Sequence, residues 1–201
     1  MFEIKVEQGS QEWLEMRVGK ITGTRLKEVL KKDNLPLIDE MIAEIGVGQQ
    51  ESTWVSPAMQ RGSDMEEVAK NLYSLTKGIE IENIGFCMSF ENDYLGLSPD
   101  GFTKDRLGAV EIKCPNTKNH VKYIRMDQIP SDYKPQILMY FIVNDKLEWL
   151  DFISYDDRYQ PKPIWIKRVS RAELENDIED AKKAINVFLD KFLKYYQKVN
   201  G

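Results

Sequence analysis

The spacing of apolar residues changes at Gly78, and this change constrains the fold more than any other feature of the sequence. From residue 63 to residue 77 the apolar side chains recur at helical spacing, and glycine commonly follows the last turn of a helix. Beyond Gly78 the residues Ile79-Glu80-Ile81-Glu82 alternate between apolar and charged, which is the period of a strand. The chain must therefore combine helices with a sheet.

The rest of the sequence extends this pattern on both sides. Ser10 is a predicted N-cap for a first helix that ends at Gly19, and Thr22-Gly23-Thr24 opens a second. Ser170 and Glu173 form a predicted capping box for a long terminal helix. Another helix is predicted at 133–143, and further strands are predicted at 86–90, 94–99, 109–113, 147–154 and 164–169. Helices before and after a mostly hairpin-connected sheet predict one α/β or α+β domain covering residues 1–201.

The segment from Asp33 to Val55 fits this organisation least well. It mixes proline, glycine and polar residues, with a short predicted helix near 37–44. We interpret it as an excursion from the core without an assigned role.

Composition excludes several classes of function. Two cysteines, Cys87 and Cys114, are too few for a four-thiolate metal site, and His120, the one histidine, argues against a histidine-rich zinc centre and is interpreted as a loop residue without a role. The longest apolar run is too short to cross a bilayer. With no disulfide framework and no signal sequence, an intracellular protein is expected.

Two carboxylates and one lysine form the most informative group. Asp100 lies in Ser98-Pro99-Asp100-Gly101, and Glu111-Ile112-Lys113 follows. If Asp100 ends one strand of a hairpin and the second motif lies on the next strand, then Glu111 and Lys113 point to the same face, because side chains two apart on a strand do so. Asp100 can then meet them across the hairpin.

Such a group predicts chemistry on a phosphodiester. Two converging carboxylates repel each other unless a cation joins them, and oxygen ligands favour Mg²⁺ or Mn²⁺. A metal ion held there polarises a phosphate and lowers the pKa of bound water. We expect burial among cations to lower the pKa of Lys113, so that it orients the attacking water or helps to accept its proton.

These motifs resemble those of a known nuclease superfamily. Pro99-Asp100 followed by Glu111-Ile112-Lys113 is similar to the PD-(D/E)xK signature, and the longer motifs 97–101 and 111–115 resemble the phage lambda exonuclease and YqaJ-like recombinase family. Matches at 17–22, at Arg61-Gly62 with Glu66, and at 133–140 extend the resemblance over nearly the whole chain. The resemblance implies a restriction-endonuclease-like core with a central mixed β-sheet flanked by helices.

The resemblance also assigns roles to individual residues. It implies that Glu66, Asp100 and Glu111, together with the backbone carbonyl of Ile112, bind two metal ions. These ions are Mg²⁺ or Mn²⁺. Lys113 and Gln136 complete the implied catalytic set. Of the two adjacent glutamates 66 and 67, the first is preferred, because its neighbour points about 100° away on a helix.

The resemblance implies that a second set of residues holds a 5′-phosphate: Arg17, Thr24 and Ser98. At the position of Thr24 the family usually has serine. Arginine binds phosphate through several donors, and the helix start near Thr24 offers backbone N–H groups. The alternative is that Thr22 or Thr24 caps its helix.

The implied function is a metal-dependent 5′→3′ exonuclease that degrades one strand of linear duplex DNA and leaves 3′ single-stranded tails for recombination. By the same resemblance its partners are double-stranded DNA ends, two further copies in a homotrimer, and a single-strand annealing protein. One alternative is a PD-(D/E)xK endonuclease, either restriction-like or structure-specific. The other is a non-catalytic DNA-binding protein, which the intact acidic residues oppose.

Overall fold

A computed structural model describes residues 1–50 and 57–201, with the side chains of residues 57–59 outside the description. Its helices are α1 (Gln11–Arg17), α2 (Gly23–Val29), α3 (Leu35–Val47), α4 (Pro57–Lys77), α5 (Thr117–Met126), α6 (Lys134–Val143) and α7 (Arg171–Asn200), and a 3₁₀ turn at Ser131–Tyr133 precedes α6. Its strands are β1 (Phe2–Ile4), β2 (Phe86–Met88), β3 (Gly96–Leu97), β4 (Gly101–Phe102), β5 (Gly108–Lys113), β6 (Trp149–Tyr155) and β7 (Ile164–Ser170).

The strands form two sheets. The smaller sheet is antiparallel and has the order β1-β2-β3. The larger has the order β4-β5-β6-β7 and is mixed, because β5 and β6 are parallel whereas both outer pairs are antiparallel. A parallel pair needs a crossover connection, and α5 and α6 provide it. The predicted mixed α/β architecture is thus confirmed, while the expectation of mostly hairpin connections is wrong for the central pair.

The larger sheet is covered by helices on both faces. Val110 and Ile112 of β5 pack against Ala69 and Tyr73 of α4 in one apolar cluster. Ala109 belongs instead to the main core, which includes side chains of α2, α3, α6 and α7. Alternate residues of β5 therefore face opposite layers, as strand geometry requires, and β5 lies in the interior.

Most of the predicted helix boundaries are confirmed. The Ser10 side chain accepts a hydrogen bond from Trp13 N, and Ser170 with Glu173 forms the predicted capping box. Gly78 follows α4 with a φ of +67°, a conformation that favours glycine. The alternating residues 79–82 form no strand and make only a bridge from Glu82 to Phe102. Helix α5 was not expected from the sequence.

The interpretation of residues 33–55 as an excursion is wrong for the described part, which ends at residue 50. Helix α3 buries Leu37, Ile38 and Met41 in the main core. Glu44 is buried as well, because it pairs with Arg25 and accepts from Gly19 N at 3.0 Å. The apolar residues of α3 recur at helical spacing, and this pattern determined the structure more than the loop-like composition around it did. Residues 51–55 lie outside the described residues.

His120 is a buried helical residue and not a loop residue. Its Nδ1 lies 2.7 Å from Ser154 Oγ, and its Nε2 lies 2.8 Å from the carbonyl oxygen of Lys162. Both ring nitrogens thus have partners, so His120 links α5 to the sheet. Among the described residues, no helix is both long enough and apolar enough to cross a membrane.

Candidate active site

The turn before β4 places Asp100 against β5. Asp100 Oδ2 accepts a hydrogen bond of 2.6 Å from Ile112 N. Gly101 begins β4, and a Cβ there would lie 2.2 Å from Ile81 Cγ2, so the close approach requires glycine. Asp100 therefore meets the β5 motif across the hairpin, as predicted, although it precedes its strand and does not end it.

Tyr140 holds this hairpin together from the opposite layer. Its hydroxyl accepts from Asp100 N at 2.9 Å and donates to the carbonyl oxygen of Val110 at 3.1 Å. Burial raises the pKa of Tyr140 well above its usual value, and the nearby carboxylates of Glu111 and Asp100 raise it further. The phenol therefore stays neutral and serves as a fixed link between α6 and the two strands.

Glu111 and Lys113 emerge on the same face of β5 and form an ion pair. Lys113 Nζ lies 2.5 Å from Glu111 Oε1 and 5.5 Å from the centre of the Tyr133 ring. Glu111 is only 3% exposed. Within the described part of the chain its Oε1 has no aligned hydrogen bond, and the carboxylate interacts with the Tyr140 hydroxyl as well as with Lys113. A buried carboxylate oxygen in this state is uncommon.

The charges of the group act on one another. Burial raises the pKa of Asp100 well above its usual value, with further raising by Glu111 and Glu66. Burial also raises the pKa of Glu66, which Lys70 and Lys113 partly oppose. The predicted lowering of the Lys113 pKa is wrong here: burial lowers it, but the carboxylates of Glu111 and Asp100 outweigh burial, and the pKa is raised.

Glu66 reaches the group from α4. It lines a cavity of about 320 Å³ together with Asp100, Lys70 and Asn83. The neighbouring Glu67 borders the same cavity but is 61% exposed and contacts Lys70 at 3.4 Å. Glu66 is among the groups that raise the pKa of Asp100, which agrees with the preference drawn from helix geometry.

The residues present fit a divalent cation in chemistry. In the described residues, no three histidine, cysteine or acidic side chains are grouped as a complete metal site. Glu111 nevertheless raises the pKa of Asp100, and Glu111 Oε1 has no aligned hydrogen bond although Lys113 Nζ lies 2.5 Å away. A hard cation answers both conditions, because carboxylate oxygens are its preferred ligands.

A second cavity, of about 50 Å³, is lined in part by Glu111. It is lined by the three predicted phosphate ligands and by the predicted catalytic glutamine, in the set Arg17, Thr22, Gly23, Thr24, Leu97, Ser98, Glu111, Gln136 and Tyr140. Arg17 Nη1 donates to Ser98 Oγ at 3.0 Å. The structure therefore brings Arg17, Thr24, Ser98 and Gln136 together beside Glu111, as the sequence motifs predicted.

Arg17 is held in place by neighbours that sequence reasoning missed. Its guanidinium stacks on the Trp13 ring at 4.3 Å, and its Nε donates to Gln50 Oε1 at 3.4 Å. Burial, with a contribution from Arg25, lowers the pKa of Arg17 to about 10, so it stays charged at neutral pH. The aromatic residue four positions before the arginine was a usable signal, since residues i and i+4 adjoin on a helix.

The structure does not support the alternative in which the Thr22 side chain caps α2. Thr22 is the N-cap residue of α2, but its side chain makes no capping hydrogen bond. Its hydroxyl instead lies 3.3 Å from the Thr24 hydroxyl. Gly23 faces α6, where a Cβ would lie 3.7 Å from Gln136 Cα, an ordinary van der Waals contact. Both hydroxyls thus border the cavity.

The comparison with known families decides the relationship. The family model described as "YqaJ-like viral recombinase domain" matches residues 12–146. This chain belongs to that family. The matched YqaJ-like region contains every predicted site residue, from Arg17 to Gln136. None of the curated protein sequences compared with the chain matches it.

Solved structures extend the likeness of this YqaJ-like chain beyond the matched region. An alkaline exonuclease (LHK-Exo) from Laribacter hongkongensis aligns with a TM-score of 0.87 and 28% identity over 95% of this chain and 96% of that one. Its complex with dAMP gives 0.86 and 28% over 94% and 96%. A phage-related exonuclease from Haemophilus somnus 129PT gives 0.56 and 16% over 88% and 96%, which supports the fold alone.

Proposed function

We propose that this chain is a metal-dependent exonuclease that degrades one strand of linear duplex DNA in the 5′→3′ direction and leaves 3′ single-stranded tails for recombination. The family match and the likeness to an alkaline exonuclease support a nuclease. The direction and the need for a metal ion rest on the site itself.

One observation carries the direction of degradation. Arg17, Thr24 and Ser98 share a cavity with Glu111, so a terminal phosphate bound there lies beside a catalytic carboxylate. Ser98 and Asp100 are also separated by a single residue in one turn. An arginine with two hydroxyls is a donor set suited to a phosphate. An enzyme that holds a 5′-phosphate next to its carboxylates acts at 5′ ends.

The metal ligands in this proposal are Asp100, Glu111 and the backbone carbonyl of Ile112, with Glu66 completing the set for two ions. Mg²⁺ or Mn²⁺ bound there supplies charge that polarises the scissile phosphate and lowers the pKa of a water molecule. The raised pKa of Asp100 and the Glu111 oxygen without an aligned hydrogen bond support this assignment, because the two carboxyl groups share a single ammonium group, that of Lys113.

Lys113 and Gln136 act around the attacking water. Lys113 is a charged ammonium, so it orients the water and stabilises negative charge on the phosphate, and it does not accept a proton in that state. The Tyr133 ring and the Glu111 ion pair fix its position. Gln136 contributes a neutral amide that positions water or phosphate without adding charge.

The bond changes explain how degradation continues along a strand. Water forms a new P–O bond at the phosphate between the first two nucleotides, and the bond from that phosphorus to the first nucleotide's 3′ oxygen breaks. The first nucleotide leaves with a 3′-hydroxyl. The shortened strand keeps a 5′-phosphate, which is again a ligand for Arg17, Thr24 and Ser98. Each cut therefore regenerates the group that the cavity recognises.

The wider context belongs to the same proposal. We expect the protein to act on duplex ends inside a bacterial cell, as a homotrimer that encloses DNA and together with a single-strand annealing protein. Sedimentation analysis of the purified chain, with and without duplex DNA, tests the assembly. A monomer in both conditions contradicts the ring and leaves the chemistry of the site unaffected.

The decisive experiment compares DNA ends. We would incubate 5′-phosphorylated and 5′-hydroxyl linear duplexes, each labelled at one end, with Mg²⁺ or with EDTA. Mononucleotides should appear from the 5′-phosphorylated strand first, only with the metal ion, and not with Asp100→Ala. Closed circular DNA should remain intact.

Two outcomes would contradict the proposal. Cleavage of closed circles at a rate similar to that of linear duplex identifies an endonuclease. Full activity of Asp100→Ala shows that the proposed carboxylates are not catalytic.

A further inference from the structure

Ser98, which lines the cavity of about 50 Å³ beside Glu111, makes an unusual set of hydrogen bonds. Its hydroxyl oxygen lies 3.0 Å from Trp13 Nε1 and 3.0 Å from Arg17 Nη1. An indole N–H and a guanidinium N–H have no acceptor capacity, so both must donate. The two lone pairs of Ser98 Oγ are therefore both occupied.

This arrangement fixes the role of the remaining hydroxyl proton. A serine hydroxyl has two lone pairs and one proton, so Ser98 is left with an O–H that can only donate. Within residues 1–50 and 57–201, as far as their side chains are described, no acceptor is recorded for it. Ser98 also lines the cavity that holds Thr24 and Gln136.

We propose that Trp13 is a positioning residue that turns the Ser98 hydroxyl into an obligate donor and aims its proton at a terminal 5′-phosphate. This inference rests on the proposed function, whose phosphate-binding set included Arg17 and Ser98 but not Trp13. Without Trp13 Nε1, the hydroxyl regains a free lone pair and can rotate away from the cavity.

Trp13 has a second contact in the same direction. Its ring supports the Arg17 guanidinium at 4.3 Å, and Arg17 is the other donor to Ser98. Phenylalanine at position 13 keeps an aromatic surface under Arg17 but has no N–H. Trp13→Phe therefore separates the hydrogen bond to Ser98 from the stacking contact.

The structure offers a matched control for this substitution. Trp165 Nε1 donates to Asp127 Oδ1 at 3.2 Å, and Trp165 lines neither of the two cavities at the site. Trp165→Phe loses an indole hydrogen bond of similar length elsewhere in the fold. It should change stability without changing the choice between DNA ends.

The test measures the ratio of degradation rates on 5′-phosphorylated and 5′-hydroxyl duplexes that are otherwise identical. Trp13→Phe should reduce this ratio by about five- to tenfold, because one neutral hydrogen bond no longer orients the donor. Trp165→Phe should leave the ratio unchanged. In a Ser98→Ala background, Trp13→Phe should have less than about a twofold further effect, since coupled residues are not additive.

The contrary results are distinguishable. If Trp13→Phe slows both substrates equally, or if its effect multiplies with that of Ser98→Ala, Trp13 is a packing residue and the inference is wrong. If the parent prefers 5′-phosphate and Trp13→Phe keeps the full preference, the inference alone fails. If the parent degrades both ends at equal rates, end recognition fails, and this role of Trp13 fails with it.

Discussion

Glu111 and Asp151 are buried carboxylates on neighbouring strands of the same sheet, yet their surroundings differ. Asp151 on β6 accepts from Arg168 Nε at 2.7 Å, from Arg168 Nη2 at 2.8 Å and from the Tyr73 hydroxyl at 2.7 Å. Glu111 on β5 has the ion pair with Lys113 and, among the described residues, no aligned hydrogen bond at Oε1. Both side chains are almost fully buried, at 1% and 3% exposure.

We interpret the difference as one between a structural carboxylate and the carboxylate that we propose to be functional. A buried charge with all its hydrogen bonds made links elements of the fold, and Asp151 links α4, β6 and β7. A buried charge without them costs stability. Glu111 stands in that condition beside Asp100, whose pKa is also raised by burial and by Glu111. We interpret the unmade interactions as those that a metal ion completes.

Two arginines repeat the contrast. Arg168 stacks on Trp149 at 3.6 Å and directs its fork at Asp151. Arg17 stacks on Trp13 at 4.3 Å, but in the described part of the chain it has no carboxylate within ion-pair distance. Its guanidinium borders the cavity instead. The same local motif thus joins two elements of the fold at one site and, in the proposed function, binds a phosphate at the other.

Glu111→Gln should have the largest effect on activity. We expect at least about a thousandfold loss of nuclease rate, because the substitution removes a proposed metal ligand. The free energy of unfolding should change by no more than about 1 kcal/mol, because the loss of the ion pair with Lys113 is offset by the relief of repulsion between Glu111 and Asp100. Rates on linear duplex and urea unfolding curves measure the two quantities. A large loss of stability with activity retained would reverse the comparison.

Asp151→Asn should have the opposite pattern. We expect a destabilisation of about 2–3 kcal/mol, because Arg168 and Tyr73 lose the charge that both contact. The rate per folded molecule should stay within about twofold of the parent. Urea unfolding and single-turnover assays on the same preparation measure both. A selective loss of activity would place Asp151 in the catalytic machinery, contrary to this account.

Replacing each stacked arginine by lysine should sharpen the contrast further. Arg17→Lys should lower the preference for 5′-phosphorylated over 5′-hydroxyl ends by about tenfold, because one ammonium replaces a multi-donor fork. Arg168→Lys, the matched variant, should keep the preference and lose only stability. Equal end preference in the two variants would remove Arg17 from phosphate recognition.

The smallest effect is expected for the pH dependence of stability at Asp156. Burial alone would raise the pKa of this carboxyl, but hydrogen bonds from Arg158 and Thr117 outweigh it and lower the pKa below its usual value. A carboxyl whose pKa is lowered by folding stabilises the protein above its unfolded pKa of about 3.9. That contribution is lost as pH falls through the folded pKa.

Asp156→Asn should therefore be less stable than the parent near pH 6, and the difference should shrink below about pH 4. Thermal unfolding of both proteins over this range measures it. A difference that grows as the pH falls would contradict the assignment of Asp156 as a stabilising ion-pair partner.

The sequence predicted the convergence of Asp100, Glu111 and Lys113 better than it predicted some of the fold. Asp100, Glu111 and Lys113 were found because strand periodicity and a short hairpin bring them together, and such geometry depends on neighbouring residues alone. The parallel crossover between β5 and β6 depends on contacts distant in sequence. Helix α5 was missed because its buried face consists largely of His120 and Tyr123, which give a weak apolar pattern.

Polar contacts made in the folded state were the least predictable. No local pattern indicates that Glu44 is buried, yet in the folded chain it pairs with Arg25 and accepts a hydrogen bond from Gly19 N. The Trp13 hydrogen bond to Ser98 joins residues 85 positions apart. No local sequence pattern predicts such a pair. Only the folded chain shows that α1 contacts the turn at residues 98–100.

The central claim is that Asp100 and Glu111 need a cation, and direct metal binding tests it best. Calorimetric titration of Mn²⁺ into the DNA-free parent should show saturable binding, accompanied by a higher unfolding temperature. The double variant Asp100→Asn/Glu111→Gln should remain folded and show neither response. Identical isotherms for the two proteins would contradict the account, because the metal ion would then bind elsewhere.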